Sequence, residues 1–400
     1  MSQKQVSKKK EFVIHDYDCK ISNTYSLIER ELSPYNVQLI RKYDSELVKQ
    51  SLAKATRLKH LQIMLNLTRF IKKDWKDITK DDIDRLVLKI VELYANDSGQ
   101  ETNTTWDHKK ILKIFFRWFK LGSRNFREVG DPPETKPVKL RPVKDNIVRE
   151  DLLTEDDRTK LLYACDENAR DRAFIDVHFE AGTRPGEILS LRIKHVKFDN
   201  VGAVIKVDGK TGPRPVRLIR SVPNLAKWLD VHPLKNNPEA PLWILLDKAR
   251  FGEPLNHSGA RALVQRRCEK ANISKRVNLK LFRHSEATCS ANFMTEAQMR
   301  VRHGWTPSSK MPARYVHLVS ADVDQALLKH YGIEKEVKEA IVLPRKCVIC
   351  EMQNAPESAT CSKCGRPLDL STALKIDDAV ETRLSSIEEK LNVLLNVLPK

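Results

Sequence analysis

A tyrosine near the end of a basic stretch is the residue whose type and setting most directly suggest chemistry. Tyr315 is preceded along the chain by Arg184, Lys210 and Arg283. A phenol can attack a phosphodiester, and the charge that builds on the nonbridging oxygens must then be stabilised by cations held in place. Arginine suits this role because its planar fork matches two phosphate oxygens and stays charged at any working pH. This set of residues therefore predicts phosphoryl transfer.

Two further residues, Lys280 and Trp305, have types that fit the same reaction. Lys280 precedes Arg283 by three residues and adds a point charge, and Trp305 offers an indole donor. Lys210 falls in the turn of a predicted hairpin, from which it can give a proton to the departing 5′ oxygen. Taken alone, each residue has an ordinary interpretation, such as a solvated turn lysine. Their joint occurrence within one domain-sized span favours a catalytic site.

The order and spacing of these residues resemble the motif boxes of the tyrosine recombinase family, the lambda-integrase-like enzymes. The segments that carry the resemblance are residues 182–191, Lys210, residues 280–288 and residues 304–317. The resemblance implies a mainly α fold with a small antiparallel β-hairpin. It also implies a helical core-binding domain and a catalytic domain that together clamp duplex DNA, and a 3′-phosphotyrosyl intermediate at Tyr315.

The resemblance assigns catalytic roles to six residues and supporting roles to two: Arg184, Lys210, Lys280, Arg283, Trp305 and the nucleophile Tyr315, with Glu187 and His284. Lys280 stands where the family usually has histidine, a replacement that resembles archaeal members. Lysine keeps the positive charge but loses an imidazole that could relay protons near neutrality. Trp305 is favoured over His303 because the preceding glycine aligns, and Tyr315 over Tyr331 because Tyr331 follows the motif boxes.

The charge balance predicts a polyanionic partner. The 400 residues include 71 Lys or Arg against 53 Asp or Glu, a net charge of +18. Residues 256–317 contain twelve Lys or Arg against three Glu, which gives +9 and indicates a phosphate-binding surface. An anionic membrane is the rival partner, but no run approaches the ~18 to 20 apolar residues that span a bilayer. We therefore expect a cytoplasmic protein bound to double-stranded DNA.

Apolar periodicity and composition, together with the domain plan that the resemblance implies, predict six regions. They are an N-terminal arm (1–31), a helical, SAM-like core-binding domain (32–128), a linker (129–150), a catalytic domain (151–335), a zinc ribbon (344–368) and a C-terminal helix (376–400). In the core-binding domain, Lys109, Lys110, Lys113 and Arg117 suggest a helix face that contacts phosphates. An ordinary solvated helix surface explains these four cations about as well.

Four cysteines form two CxxC knuckles ten residues apart, Cys347 with Cys350 and Cys361 with Cys364. Four thiolates in this pattern predict a structural Zn²⁺ site, with a redox dithiol pair or an iron–sulfur site as alternatives. Because the covalent phosphotyrosyl ester stores the broken bond, neither ATP nor a catalytic metal is expected.

After the cysteines, apolar residues recur at steps of three and four from Val380 to Leu398, a heptad-like seam. The seam spans under three heptads, so docking on the chain itself is as reasonable as pairing between subunits. The family's enzymes act as tetramers on paired sites, which implies self-association here.

The prediction is therefore a site-specific DNA recombinase or integrase. One alternative is a type IB topoisomerase-like enzyme that rejoins the same strand, and another is a noncatalytic DNA-binding protein on the same fold. The DNA target stays open because phosphate contacts carry no base information. Between integration of a mobile element and resolution of chromosome dimers, we favour the mobile element.

Overall fold

The computed structural model describes residues 14–143, 149–166, 168–319, 331, 344–355, 358–369, 372–373, 375–376, 379 and 382–387. The chain divides into two compact units, which we call the N-terminal unit (His15–Asn146) and the C-terminal unit (Ile147–Lys400 with Met1–Ile14). Both units are mainly helical, and the small antiparallel sheets belong to the C-terminal unit. The predicted fold class is confirmed. No helix in the described ranges combines the length and the hydrophobicity of a membrane span.

Helices α1 to α6 build the N-terminal unit: α1 (Tyr17–Glu31), α2 (Pro34–Lys49), α3 (Lys54–Ile71), α4 (Lys80–Tyr94), α5 (Asn103–Leu121) and the short α6 (Phe126–Val129). Helix α2 begins as its sequence predicts, with the Ser33 side chain accepting from the Asn36 amide and Pro34 in the first turn. The helices bury their apolar faces in one core around Tyr43, Trp75 and Phe115.

The prediction of an irregular arm over residues 1–31 is wrong for α1. Asp16 caps this helix by accepting from the Cys19 amide, and Ile21, Thr24 and Ile28 face the core of the unit. A threonine at the centre of the buried stripe weakens its apolar period, which is why the pattern did not predict the helix.

The prediction of a phosphate-contacting face on α5 is wrong for three of its four cations. Lys109 forms a buried ion pair with Glu101. Lys113 donates to the carbonyl oxygens of Thr135 and Val138, and Arg117 donates to Asp131, so both hold the segment that follows α6. That segment, residues 131–138, therefore packs on α5. Of the four, Lys110 is exposed, and its ammonium lies over the Trp106 ring.

The C-terminal unit contains the remaining elements. They are α7 (Glu155–Tyr163), α8 (Ala169–Ala181), α9 (Pro185–Leu189), β1 (Val196–Asp199), β2 (Gly202–Gly209), β3 (Gly212–Leu218), α10 (Val222–Asp230), α11 (His257–Lys270), α12 (Leu279–Ser290), α13 (Glu296–His303), α14 (Met311–Val319), β4 (Arg345–Lys346) and β5 (Gln353–Asn354). Helix α8 is buried along most of its length and contacts α7, α10 and α12.

Strands β1, β2 and β3 form one antiparallel sheet in chain order. Gly209 pairs with Gly212, so Lys210 and Thr211 form a two-residue turn. The predicted hairpin is confirmed, and β1 extends it at one edge.

Several predicted features lie outside the described residues: residues 1–13 of the arm, residues 144–148 of the linker, the end of the catalytic domain near residue 335, and most of the C-terminal helix. Of the heptad seam, residues 382–387 are described and helical, and Leu384 and Ile387 are exposed there. The predicted domain boundaries and the role of the tail stay predictions.

Candidate active site

Three arginine side chains converge on the C-terminal end of α13. Each guanidinium donates a hydrogen bond of 2.7 to 2.9 Å to one of three consecutive carbonyl oxygens: Arg214 to Arg302, Arg283 to His303 and Arg184 to Gly304. The last carbonyls of a helix have no partner within the helix and carry the negative end of its dipole. The end of α13 therefore gathers and orients three cations that are distant in the sequence.

Glu187 lies between two of these cations. Its carboxylate accepts from Arg184 at 2.6 Å and from Arg214 at 2.7 Å, and it also caps α9 through the Arg184 amide. The residue is 2% exposed. Burial opposes ionisation of this carboxyl, but the hydrogen bonds from Arg214 and Arg184 lower the pKa of Glu187 to about 2. Glu187 therefore stays ionised and fixes the direction of both guanidinium groups.

Two glycines permit this close packing. A Cβ atom on Gly209 would lie 2.1 Å from Oε1 of Glu187, and one on Gly304 would lie 2.7 Å from Nη1 of Arg214. Gly304 also has a φ of +59°, the left-handed conformation that glycine adopts after a helix. Any larger residue at either position would displace the arginine cluster.

Arg283 is the most buried of the cations that the sequence predicts to be catalytic. It is 8% exposed, donates from its second nitrogen to the carbonyl of Gly182 at 3.0 Å, and lies 5.3 Å from the centre of the Trp305 ring. Burial lowers the pKa of Arg283 to about 10, and the Arg184 cation adds to the lowering. Arg283 therefore remains charged near neutral pH.

Tyr315 completes the cluster from α14. Its ring stacks on Trp305 with centroids 5.6 Å apart and planes 9° apart, and its hydroxyl lies 2.7 Å from Nδ1 of His284. The side chain is fully buried. Burial raises the pKa of Tyr315, and the cations Arg314 and Arg283 offset part of that effect. The phenol is therefore protonated near neutral pH.

The two predicted lysines lie at the edge of the cluster. Lys210 is exposed in the hairpin turn beside Thr211, whose hydroxyl donates to the Gly304 carbonyl at 3.0 Å. That contact brings the turn to the same carbonyl that binds Arg184. Lys280 is exposed in the first turn of α12. Among the described residues, neither ammonium group hydrogen-bonds to the cluster, so both are available to a ligand.

The two rival residues have different surroundings from the residues that we favoured. His303 is fully buried, with Nε2 3.2 Å from a carboxylate oxygen of Glu286, whereas Trp305 is partly exposed. Tyr331 is 72% exposed, whereas Tyr315 lies within the cluster. Contacts therefore join Arg184, Glu187, Arg283, His284, Trp305 and Tyr315 into one site.

Sequence reasoning missed Arg214. The side chains of β3 alternate, so Arg214 shares the buried face of the strand with Val216 and Leu218. A cation at an inward position of a strand requires a buried anion, which is Glu187 here. The alternation was therefore a usable signal for a buried ion pair, but the hairpin prediction did not draw on it.

The basic stretch from residue 256 to 317 serves two purposes. Three of its cations stabilise the fold through ion pairs of 2.6 to 2.8 Å: Arg267 with Asp171, Lys275 with Asp157 and Arg302 with Glu286. Others line an open groove between α11 and the start of α12, where Arg261, Arg276 and Lys280 are exposed. Fewer cations of this stretch are therefore available to bind phosphate than the sequence count suggests.

Residues 151–321 match the phage integrase family. The matched segment lies within the C-terminal unit. A curated tyrosine recombinase of Synechococcus elongatus is 32% identical over 126 residues, which are 31% of this chain and 39% of the relative. The match thus spans well under half the length of that relative. The predicted family is confirmed.

Solved structures show the same fold at low sequence identity. A lambda integrase dimer bound to a core site has a TM-score of 0.54 at 15% identity, over 70% of this chain and 76% of that one. The XerH recombinase in a post-cleavage complex with its difH substrate has a TM-score of 0.53 at 18% identity, over 83% and 92%. The Tn1549 transposon integrase with transposon end DNA has a TM-score of 0.53 at 16% identity, over 73% and 99%.

The four knuckle cysteines form a second candidate site. The sulfur atoms of Cys347, Cys350, Cys361 and Cys364 all lie within 4.8 Å of one another, with 3.7 Å between Cys347 and Cys364. Four thiolates bound to one Zn²⁺ at about 2.3 Å in a tetrahedron lie about 3.8 Å apart. Backbone N–H groups of residues 349 and 350 also hydrogen-bond to the Cys347 sulfur. The cluster therefore fits a tetrahedral metal ion.

The cysteine module docks on the recombinase fold through α10. Ala226 packs against the buried cysteines, and Lys363 forms a 2.9 Å ion pair with Asp230 at the end of the same helix. Because α10 also contacts α8, the module is connected through α10 to the core of the C-terminal unit.

Proposed function

We propose that this chain is a site-specific DNA recombinase or integrase that cleaves and rejoins strands through a 3′-phosphotyrosyl intermediate at Tyr315. The observation that carries the proposal is the convergence of Arg184, Arg283 and Tyr315 around the end of α13. Two fixed cations beside a phenol are the arrangement that an attack on a phosphodiester needs.

The proposed roles follow from the positions of the side chains. Arg184 and Arg283 bind the nonbridging oxygens of the scissile phosphate, because both guanidinium groups are already oriented by backbone carbonyls. Glu187 holds Arg184 in place, and Trp305 offers its indole N–H to a phosphate oxygen. Lys280 adds positive charge at the rim. No ATP is required, since the phosphotyrosyl ester keeps the energy of the broken bond.

Duplex DNA is the proposed partner. The groove with Arg261, Arg276 and Lys280 begins at the helix that holds Arg283, so it can bind the phosphates next to the scissile one. The lambda integrase, XerH and Tn1549 integrase structures all contain DNA. Lambda integrase also forms a tetramer on a Holliday junction, and we propose self-association of this chain on paired sites.

A nicked suicide duplex tests the proposal and separates it from its alternatives. Cleavage beside the nick releases a short strand, so the covalent protein–DNA adduct accumulates. We expect an adduct and, with two DNA sites, exchange of strands between them. Relaxation of supercoiled DNA without exchange would instead indicate a topoisomerase, and DNA binding without any adduct would indicate a noncatalytic protein.

Replacing Lys210 should slow cleavage by removing the acid that protonates the leaving oxygen. We expect Lys210→Ala to reduce the single-turnover rate by about 10²-fold on an ordinary phosphodiester. A 5′-bridging phosphorothiolate has a better leaving group that needs no proton, so the rate on that substrate should return to within a few-fold of wild type.

Lys206→Ala is the matched control, because Lys206 is an exposed lysine on the neighbouring strand. This variant should behave like the wild type on both substrates. An equal deficit of Lys210→Ala on both substrates would remove Lys210 from the acid role.

We propose that the cysteine cluster holds one structural Zn²⁺. Its four thiolates leave no open ligand position, so the metal holds the module together and takes no part in strand cleavage. We expect one zinc per chain by elemental analysis. A Cys361→Ser and Cys364→Ser double variant should lose the metal and melt at lower temperature, but still form the covalent adduct.

Cys289→Ser is the matched control, since Cys289 is exposed and lies outside the cluster. This variant should keep its zinc. Iron or no metal in the wild type would contradict the zinc assignment, and loss of the adduct in the double variant would contradict a purely structural role.

A further inference from the structure

The proposed reaction needs a group that accepts the proton of the Tyr315 hydroxyl. Tyr315 is protonated near neutral pH, so its hydroxyl must lose a proton when it attacks phosphorus. Lys280 occupies the family's usual histidine position but is an exposed ammonium group, which has no lone pair to accept that proton.

The other anion and imidazole near the arginine cluster are already engaged. Both oxygens of Glu187 accept from arginines, and their low pKa makes this carboxylate a weak base. His303 is fully buried, and its Nε2 lies 3.2 Å from a carboxylate oxygen of Glu286. In the described part of the chain, it shares no hydrogen bond with Tyr315.

His284 differs from these groups because it contacts the nucleophile directly. Its Nδ1 lies 2.7 Å from the Tyr315 hydroxyl, within the range in which a proton passes between heavy atoms. The residue follows Arg283 on α12, so the same helix turn that carries the phosphate-binding cation also directs the imidazole toward α14.

From this contact, and on the basis of the proposed function, we infer that His284 is the general base that takes the proton of Tyr315 during strand cleavage and returns it during rejoining. His284 thus supplies the imidazole that Lys280 lacks, from a position four residues later on the same helix.

The charged groups around His284 keep its ring neutral. Burial lowers the pKa of His284, and the cations Arg283 and Lys280 on its own helix lower it further. On α14, the Tyr315 phenol faces the His284 ring, and Arg314 is adjacent to that tyrosine. A neutral imidazole with its hydrogen on Nε2 presents a lone pair on Nδ1 to the phenol.

The proton balance is complete in both directions. In cleavage, the O–H bond of Tyr315 breaks and its proton moves to Nδ1 of His284, while the phenolic oxygen forms a bond to phosphorus. The bond from phosphorus to the 5′ oxygen breaks, and that oxygen takes a proton from Lys210. In rejoining, a 5′ hydroxyl gives its proton to the neutral Lys210 amine as its oxygen attacks phosphorus. The phenolic oxygen leaves, and the imidazolium returns its proton to that oxygen.

The pH dependence of single-turnover cleavage on the nicked duplex tests the inference. The wild-type rate should fall in acid, as His284 becomes protonated and loses its lone pair. We expect His284→Gln to cleave about 10²-fold more slowly and to lose this acid limb. His284→Ala should regain part of its rate with added imidazole, in proportion to the concentration of the neutral form.

His195→Gln makes the same change outside the cluster and should leave the pH profile unaltered. Circular dichroism and DNA-binding measurements serve to check that the His284 variants fold. Two results would overturn the inference: a His284→Gln enzyme whose rate falls in acid as the wild-type rate does, or a slow His284→Ala enzyme that imidazole does not rescue. Adduct formation by the wild type would still support the proposed function in either case. Absence of an adduct with wild type at any pH would contradict the proposed function instead, and the base role with it.

Discussion

Tyr315→Phe is expected to bind duplex DNA as the wild type does and to form no covalent adduct. Phenylalanine keeps the ring that stacks on Trp305 but lacks the hydroxyl that contacts His284. Removal of a covalent nucleophile leaves no other group positioned to attack, so cleavage should fall by more than about 10⁴-fold. Adduct formation on the nicked duplex, followed by denaturing electrophoresis, measures the loss.

Tyr331→Phe is the matched control for this prediction. Tyr331 is 72% exposed, whereas Tyr315 is fully buried. It should form adduct at the wild-type rate. Adduct formation by Tyr315→Phe would show that another residue is the nucleophile.

Glu187→Gln is expected to cause the largest loss of stability among single substitutions at the site. Glutamine has nearly the same volume, but it removes the negative charge between Arg184 and Arg214 and adds an N–H group that faces them. Breaking a buried ion pair from one side costs about 3 to 5 kcal/mol. The melting temperature should therefore fall by roughly 10 °C, and cleavage should weaken because Arg184 loses its orientation.

The pH dependence of this stabilisation has a definite sign. The folded pKa of Glu187 is about 2, below the value near 4.3 expected in an unfolded chain. The contribution of Glu187 to the free energy of unfolding is therefore fully present above about pH 5 and is lost as the pH falls toward 2. The difference in free energy of unfolding between wild type and Glu187→Gln should shrink over that interval.

Glu253→Gln provides the control, because this glutamate is exposed and its substitution should change the free energy of unfolding by less than about 0.5 kcal/mol. Equal stability of Glu187→Gln and wild type at pH 7 would contradict the role assigned to this carboxylate.

Much of the helical structure was predictable because the buried apolar residues recur on one face of each helix. In α2, the Ser33 cap, Pro34 and the buried residues Ile40, Tyr43 and Leu47 are all local features. The hairpin was predictable for the same reason, since β2 and β3 alternate on either side of a two-residue turn. The order of the motif residues also predicted one site, and the structure brings Arg184, Arg283 and Tyr315 together.

The features that could not be predicted depend on contacts between distant segments. Lys113 is an exposed-looking lysine in the sequence, but residues 135 and 138 bury it by accepting its hydrogen bonds. The attachment of Arg184, Arg214 and Arg283 to the end of α13 joins segments up to 120 residues apart. Neither periodicity nor motif spacing contains that geometry, because it arises only when the helices pack.

Identifying the residue that becomes attached to DNA tests most directly whether Tyr315 is the nucleophile. Trypsin cleaves after Arg314, Lys329 and Lys335, so Tyr315 and Tyr331 fall in separate peptides. The adduct from the nicked duplex can be trimmed with nuclease, digested with trypsin and sequenced by mass spectrometry. A nucleotide attached through its 3′ phosphate to Tyr315 is the result that we predict. Attachment to Tyr331, or to any other residue, would contradict the account.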